Sequence, residues 1–271
     1  MSKKTASKKA GAQNKGNTPP RPSSPFPIVG IGASAGGLAA FEAFFSGMPA
    51  DTDPGMAFVL VQHLSPDHKS MLADLIKRYT RMQVFEVEDG MRVSPNCAYI
   101  IPPGYDMSFL KGALKLQEPS APRGHRLPID FFFRSLAEDQ GERAIAVVLS
   151  GTGSDGSIGI RAIKGEGGMI IVQSPESSDF DGMPRSAIST GVADYVLPPA
   201  EMADALISFA SRAFGEASAS ARVSVKGKDD SLRTIFKLLR GHSGHDFSHY
   251  KPTTILRRIE RRMALLKIDG I

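Results

Sequence analysis

Short apolar runs alternate with amphipathic segments along the middle of the chain. Runs of this kind, bounded by Gly, Pro or polar residues, are typical of strands buried on both faces. Strands are predicted at about residues 27–31, 56–61, 144–149, 169–172 and 195–197. Helices are predicted at about residues 36–45, 69–79, 128–139, 156–164, 183–189 and 200–214. The alternation predicts an α/β fold with a mostly parallel, doubly wound sheet and helices on both faces.

The segment between residues 83 and 118 has a different pattern. Apolar and polar residues alternate at 83–88 and again at 114–117, and Gly and Pro residues separate these stretches. Period-two alternation with frequent turn residues is typical of short strands joined in hairpins. We therefore expect a small antiparallel hairpin region here.

The two ends of the chain differ in composition from the middle. Residues 1–25 are rich in Lys, Ser, Pro and Gly, which predicts a disordered basic tail. Residues 26–214 are expected to form one domain, and the small polar residues at 215–230 a linker. Apolar residues at helical spacing predict a short C-terminal helical segment at 231–271.

Charge and composition exclude several classes of protein. The pI is about 9.3, but the basic excess lies in the ends: residues 1–24 have six Lys/Arg and no acid, and residues 216–271 have twelve Lys/Arg against six Asp/Glu. With a net charge of +5 the middle is acidic, which argues against nucleic acid binding. A single cysteine excludes an internal disulfide, and no apolar run predicts membrane insertion. A cytoplasmic location is expected.

The first predicted strand leads into a candidate nucleophile. Gly32 to Gly36 fit the G-x-S-x-G pattern, with Ser34 at its centre, between a predicted strand and a predicted helix. A serine in such a turn has an exposed hydroxyl, and the following helix offers free backbone N–H groups to an oxyanion. Ser34 is therefore the candidate nucleophile, although glycine-rich turns also hold serines that do no chemistry.

A histidine and an aspartate follow two further strands. His63 comes after the second predicted strand, and Asp155 comes after the strand at 144–149. Parallel strands bring their carboxyl ends to one edge of the sheet, so both side chains are expected near Ser34. His63 would then act as general base and acid, and Asp155 would orient its ring.

Other interpretations of these residues stay open. His68 competes with His63, and Asp155 alone suits the N-cap of the following helix. His125 lies in a polar loop, and His242, His245 and His249 lie beyond the linker. Gly30, Gly32 and Gly36 also resemble a dinucleotide-binding turn, but no acid stands at the end of the next strand to bind a ribose.

Several stretches together resemble one known family. Residues 28–37 (IVGIGASAGG) resemble the nucleophile motif of the chemotaxis receptor methylesterases, CheB. Residues 61–64 (VQHL) resemble the histidine motif of that family, and residues 149–156 (LSGTGSDG) resemble its aspartate motif. Further similar stretches lie at 101–104, 180–184 and 187–188, so the resemblance covers about residues 26–200.

The resemblance implies a reaction and a partner. It implies hydrolysis of glutamyl γ-methyl esters on the cytoplasmic helices of methyl-accepting chemoreceptors, with release of methanol, and in some relatives deamidation of glutamines. Ser34, His63 and Asp155 would form the triad, and the backbone amides near Ala35 and Thr152 would bind the oxyanion. No metal or organic cofactor is implied. The alternative is a catalytically idle module of the same fold that only holds receptors.

The chain also departs from the pattern. Ala35 stands where many relatives have Thr, and Ser150 and Thr152 stand where relatives often have Thr and Met. The receiver domain usual in the family does not precede the hydrolase, so we expect no control through an attached receiver. Residues 244–263 resemble the start of the chemoreceptor methyltransferases, CheR, so the chain looks like a truncated fusion without methyltransferase activity. The Arg/Lys stripe at 251–267 suits either an acidic receptor helix or solvent.

Overall fold

The computed structural model covers most of the two predicted folded segments. It describes residues 26–49, 53–62, 72–119, 121–122, 126–214 and 229–268. The predicted tail at 1–25 and residues 215–228 of the predicted linker lie outside these ranges. Among the described helices, none is long and apolar enough to cross a bilayer.

Strands and helices alternate through the first 214 residues, as the apolar pattern predicts. The strands are β1 Ile28–Ala33, β2 Ala57–Gln62, β3 Gln83–Glu86, β4 Met91–Arg92, β5 Cys97–Ile100, β6 Asp106–Leu110, β7 Ala113–Gln117, β8 Ala144–Val148, β9 Met169–Gln173 and β10 Tyr195–Leu197. The helices are α1 Gly37–Ser46, α2 Leu72–Tyr79, α3 Pro128–Gln140, α4 Ser157–Gly165, α5 Gly182–Ser189, α6 Pro199–Phe214, α7 Asp229–Ser243 and α8 Pro252–Leu266.

The main sheet has seven strands in the order β10-β9-β8-β1-β2-β5-β3, and every neighbouring pair is parallel. A second, antiparallel sheet has three strands in the order β4-β7-β6. The predicted α/β fold class, a mostly parallel sheet with a small antiparallel region and C-terminal helices, is therefore confirmed.

The hairpin prediction for residues 83–118 was wrong in part. β3 and β5 lie in this segment but join the parallel sheet, where β5 pairs with both β2 and β3. β5 is buried throughout, whereas β3 is an edge strand with its end residues exposed. An edge strand shows the same alternation whether its partner is parallel or antiparallel, so the pattern could not identify the partner.

Helices cover both faces of the main sheet. Helices α3, α4 and α5 bury Phe132, Ile160 and Met183 on one face. Helices α1, α2 and α6 bury apolar residues, among them Phe44 and Phe209, on the other face. Because the central strands are covered twice, their sequences are apolar without alternation, which is why the runs were recognisable.

Two glycines of β1 let α3 approach the sheet closely. A Cβ atom added to Gly30 would lie 2.9 Å from Phe132 Cε1, and one added to Gly32 would lie 2.4 Å from Ile129 Cγ2. Helix packing therefore accounts for the Gly-x-Gly pattern that also suited a nucleotide-binding turn. It also brings the first turn of α3 to the carboxyl edge of the sheet.

This packing gives a test of the fold. Gly32→Ala is expected to lower the free energy of unfolding by about 1–3 kcal/mol, because the new methyl group must displace Ile129 in a packed core. Gly165→Ala is the matched control: Gly165 ends α4 with no atom within 4 Å of an added Cβ. That control should raise stability by about 0.5 kcal/mol. Urea unfolding followed by circular dichroism measures both, and equal effects would contradict the packing argument.

Helix α8 packs against α6 of the α/β domain. Arg261 is only 8% exposed, and its guanidinium lies 4.6 Å from the ring centre of Phe209 and 5.1 Å from that of Phe214. The Tyr195 hydroxyl donates a hydrogen bond to the Leu265 carbonyl. These contacts join α8 to the domain through a cation–π cluster and a hydrogen bond.

Part of the predicted basic stripe faces the α/β domain. Arg257 Nε lies 3.1 Å from Glu142, just before β8, and Arg262 lies 3.5 Å from Asp194, just before β10. Both acids therefore lie at the amino ends of their strands, at the sheet edge opposite to the end of β1. Within the described residues, these two arginines pair with the domain itself.

Removal of the central arginine is expected to loosen this contact. Arg261→Ala should lower the free energy of unfolding by about 1–2 kcal/mol, because it removes the cation–π contacts and the packing of the side-chain stem. Arg258→Ala, an exposed position on the same helix, is the control and should change stability by less than about 0.5 kcal/mol. Thermal unfolding measures the difference, and a similar melting temperature for both variants would show that Arg261 does not anchor α8.

Candidate active site

The predicted nucleophile lies in a strand–turn–helix unit. β1 ends at Ala33, Ser34 starts the turn, and α1 begins at Gly37. The Ser34 amide donates to the Ser150 carbonyl at 2.9 Å, and the Ser34 carbonyl accepts from the Gly37 amide at 2.9 Å. Gly36 has φ 71°, a left-handed conformation that favours glycine. The turn is therefore tightly held by backbone bonds, and it joins β1 to the segment after β8.

Ser150 connects three segments around this turn. Its hydroxyl donates to the Ala35 carbonyl at 2.9 Å and accepts from the Phe180 amide at 3.0 Å. Its own amide donates to the Gln173 side chain at 2.8 Å. Sequence reasoning identified Ser150 only as a departure from relatives, because nothing in the local pattern shows that distant segments meet there. The side chain helps to fix the turn that carries Ser34.

The loop after β8 passes directly against the nucleophile. A Cβ atom added to Gly151 would lie 3.0 Å from Ser34 Cβ and 2.2 Å from the sulfur of Met183. Only glycine lets this loop come so close without displacing its neighbours. The same loop leads on to Asp155, so Ser34 and Asp155 belong to one local structure.

Asp155 binds the first turn of α3. Its side chain is nearly buried, with Oδ2 accepting from the Ile129 amide at 3.0 Å and Oδ1 accepting from the Asp130 and Gly156 amides at 2.9 Å each. The N-cap of α4 is Gly156, so Asp155 lies one residue before the cap position. Asp155 therefore does not act as the ordinary cap of its own helix. Three backbone amides orient its carboxylate.

A second buried carboxylate, which sequence reasoning missed, lies beside it. Asp130 is 2% exposed, and its Oδ1 accepts from the Ile158 amide at 2.9 Å and the Gly159 amide at 2.6 Å. Burial, and to a smaller extent the charge of Asp155, raises the pKa of Asp130. The only signal in the sequence was an acid following the proline at the start of α3, which is common at exposed helix ends.

The predicted general base lies outside the described residues, and so do His68 and His125. His63 directly follows Gln62, the last residue of β2, and Gln62 is paired in register with Ala33 of β1. The order β8-β1-β2 therefore brings the ends of the three strands that precede Asp155, Ser34 and His63 side by side.

The turn of Ser34 and the loop after β8 also carry backbone amides without a hydrogen-bond acceptor in the described part of the chain. Within the described ranges, the backbone amides of Ala35 and Thr152 donate no hydrogen bond. In the same part of the chain no group of His, Cys, Asp and Glu residues is arranged to hold a metal ion. The arrangement offers the Ser34 hydroxyl as a nucleophile and two backbone amides of the kind that can stabilise a tetrahedral oxyanion.

Comparison with known proteins agrees with the resemblance noted in the sequence. The family model "CheB methylesterase" matches residues 29–206. The chain belongs to the CheB methylesterase family. A second model, the all-alpha domain of CheR methyltransferase, matches residues 230–271, which include α7 and α8. The predicted combination of a CheB domain and a CheR N-terminal segment is confirmed.

Known relatives and one solved structure are similar in sequence to this CheB domain. The chain is 35% identical over 189 residues to protein-glutamate methylesterase/protein-glutamine glutaminase 2 of Pseudomonas aeruginosa, covering 68% of the chain and 53% of that protein. It is 39% identical to a 104.1 kDa protein of Rhodobacter capsulatus, covering 74% of the chain and 23% of that protein. The crystal structure of the Thermotoga maritima CheB methylesterase catalytic domain is 32% identical with a TM-score of 0.62, over 68% of this chain and 98% of that one.

The chain corresponds to only part of the length of these relatives. A further relative, protein-glutamate methylesterase/protein-glutamine glutaminase 2 of Shewanella oneidensis, is 35% identical, covering 67% of the chain and 52% of that protein. The chain thus spans about half the length of the methylesterases it matches, and the solved catalytic domain is the part that it covers almost fully.

Proposed function

We propose that the chain is a protein-glutamate methylesterase that hydrolyses glutamyl γ-methyl esters on the cytoplasmic helices of methyl-accepting chemoreceptors. Ser34, His63 and Asp155 form its catalytic triad. The observation that carries the proposal is the junction of the Ser34 turn with the loop before Asp155, through the Ser34–Ser150 backbone bond. The strand before His63 is the other neighbour of β1.

The reaction proceeds through an acyl-enzyme. His63 takes the proton of the Ser34 hydroxyl while the Ser34 oxygen attacks the ester carbonyl. When the tetrahedral intermediate collapses, His63 gives that proton to the departing methoxide, and methanol leaves. A water molecule then attacks the Ser34 ester by the same route and releases the glutamate. Asp155 orients the His63 ring and stabilises its cation in both halves.

The oxyanion of each tetrahedral intermediate is bound by the amides of Ala35 and Thr152. Support comes from their position on the nucleophile turn and on the adjacent loop, and from the lack of another acceptor for them among the described residues. A backbone donor is insensitive to the side chain, so the departures at both positions leave this role intact.

The same acyl-enzyme also permits deamidation of receptor glutamines. Attack of Ser34 on a glutamine side chain releases ammonia in place of methanol, and hydrolysis again leaves glutamate. The support is that the names of the Pseudomonas and Shewanella relatives include protein-glutamine glutaminase.

The proposal includes a division of the chain and a location. Residues 1–25 form a tail, 26–214 the methylesterase domain, 215–230 a linker and 231–271 a CheR-type N-terminal helical segment. The chain acts in the cytoplasm, because its receptor segments lie there. It needs neither a metal nor an organic cofactor, and it has no nucleic acid partner.

The decisive experiment incubates the chain with methylated receptors and measures released methanol, while a serine-directed phosphonate tests whether Ser34 is activated. The proposal expects methanol release and labelling that maps to Ser34. The competing function, an idle module that holds receptors, expects receptor binding with neither signal. Labelling without methanol release would retain the triad and reject the substrate.

A further inference from the structure

Two buried carboxylates join the first turns of α3 and α4. Asp155, just before α4, accepts hydrogen bonds from the Ile129 and Asp130 amides of α3. Asp130, in the first turn of α3, accepts hydrogen bonds from the Ile158 and Gly159 amides of α4. Each helix therefore brings the acid that binds the first turn of the other.

We infer that Asp130 is a positioning residue for catalysis: it fixes the turn that carries Asp155 and adds a negative charge beside the Asp155 carboxylate. The inference rests on the proposed function, in which Asp155 orients His63. Asp130 acts only through Asp155 and the two helix ends, without contact to substrate.

The hydrogen bonds of Asp130 explain how it fixes the turn that carries Asp155. α4 begins two residues after Asp155, so a shift of its first turn would move the Asp155 carboxylate. Asp130 holds that turn by accepting hydrogen bonds from two of its backbone amides. The first N–H groups of any helix have no acceptor within the helix, so these two amides are available to Asp130. The close approach of α3 and α4 supports this hold, because a Cβ atom on Gly159 would lie 2.5 Å from Phe133 Cβ.

The charges around Asp130 explain the second effect. The charged groups that act on it are Asp155, whose carboxylate opposes its ionisation, and Arg134 of its own helix, which favours it; from α4 it receives the two amides. Both carboxylates lie in low-dielectric surroundings, where charges act more strongly than in water. An ionised Asp130 therefore increases the negative potential that stabilises a protonated imidazole next to Asp155, and its removal should lower the pKa of that base.

Asp130→Asn separates the charge from the hydrogen bonds. Both amides bind the same oxygen, Oδ1, so an asparagine amide oxygen can accept both. Asp130→Ala removes the charge and both acceptors. Glu138→Gln is the matched control, because Glu138 carries the same charge on the exposed last part of α3.

The experiment measures the rate of Ser34 phosphonylation and of ester hydrolysis against pH, together with the melting temperature. For Asp130→Asn we expect a melting temperature within about 2 °C of the unchanged chain, and an acid limb moved about 0.5 pH unit lower. The rate on the plateau should be about two- to threefold lower, because a base weakened by about 0.5 pKa unit accepts the proton at most about threefold less readily. The melting temperature of Asp130→Ala should be about 5 °C lower, because the Ile158 and Gly159 amides lose their acceptor.

The outcomes distinguish a failure of the inference about Asp130 from a failure of the proposed function. If the unchanged chain is labelled at Ser34 but Asp130→Asn gives the same pH profile as Glu138→Gln, then Asp130 is merely structural and the inference fails alone. If the unchanged chain is not labelled at any pH, the proposed function fails, and the inference fails with it.

Discussion

Ser34→Ala is expected to lower the rate of methyl ester hydrolysis by about 10⁴–10⁶-fold, because it removes the atom that forms the acyl-enzyme. The backbone bonds of the turn, from the Ser34 amide to Ser150 and from Gly37 to the Ser34 carbonyl, do not involve the hydroxyl. Folding should therefore be unchanged, with a melting temperature within about 2 °C. Methanol release from methylated receptor measures the rate.

Ser189→Ala is the control for this variant, because Ser189 is an exposed serine on α5. It should retain full activity. A Ser34→Ala variant with more than about a tenth of the original rate would contradict the assignment of Ser34 as nucleophile, since catalysis without a nucleophile depends only on binding and the oxyanion amides. Loss of activity together with loss of folding would instead contradict the description of the turn.

Asp155→Asn is expected to reduce activity by about 10⁴-fold and to lower stability as well. A neutral amide neither holds the required tautomer of His63 nor stabilises its cation. Stability falls because both carboxylate oxygens are acceptors: Oδ1 binds the Asp130 and Gly156 amides and Oδ2 binds the Ile129 amide. An asparagine NH₂ must oppose at least one of these donors, which costs about 1–3 kcal/mol.

Asp155→Ala extends the comparison, since it leaves three amides without their acceptor and should be less stable than Asp155→Asn. Asp204→Asn, at an exposed position of α6, is the control for loss of one acidic charge. Activity is followed by methanol release and stability by urea unfolding. An Asp155→Asn variant with full activity would exclude Asp155 from the triad, and one with full stability would contradict the three-amide environment.

Prediction from sequence succeeded for elements whose environment repeats along the chain. Strands such as β1 and β8 are covered on both faces, so they are apolar at every position and stand out from the helices. Prediction failed for β3 and β5, since partner choice depends on residues far away in the sequence. The order of strands in a sheet cannot be predicted from the local pattern of apolar and polar residues.

The residues around the candidate site also differ in how far the sequence indicated them. Ser34 and Asp155 were recognisable because catalytic side chains follow strands and stand among glycines, although the triad stays a prediction while His63 lies outside the described residues. Asp130 and Ser150 were not recognisable as parts of the site. The residues that their side chains bind lie 28 to 115 residues away along the chain.

The sequence by itself determined the α/β class, the family and the candidate nucleophile and acid, because hydrophobic burial and tight turns constrain which residues can stand at neighbouring positions. Only the tertiary structure decided which strands are partners, that α3 packs on Gly30 and Gly32, and that two carboxylates bind each other's helices. The physical reason is that hydrogen bonds and close contacts between distant segments depend on distances that only the folded chain establishes.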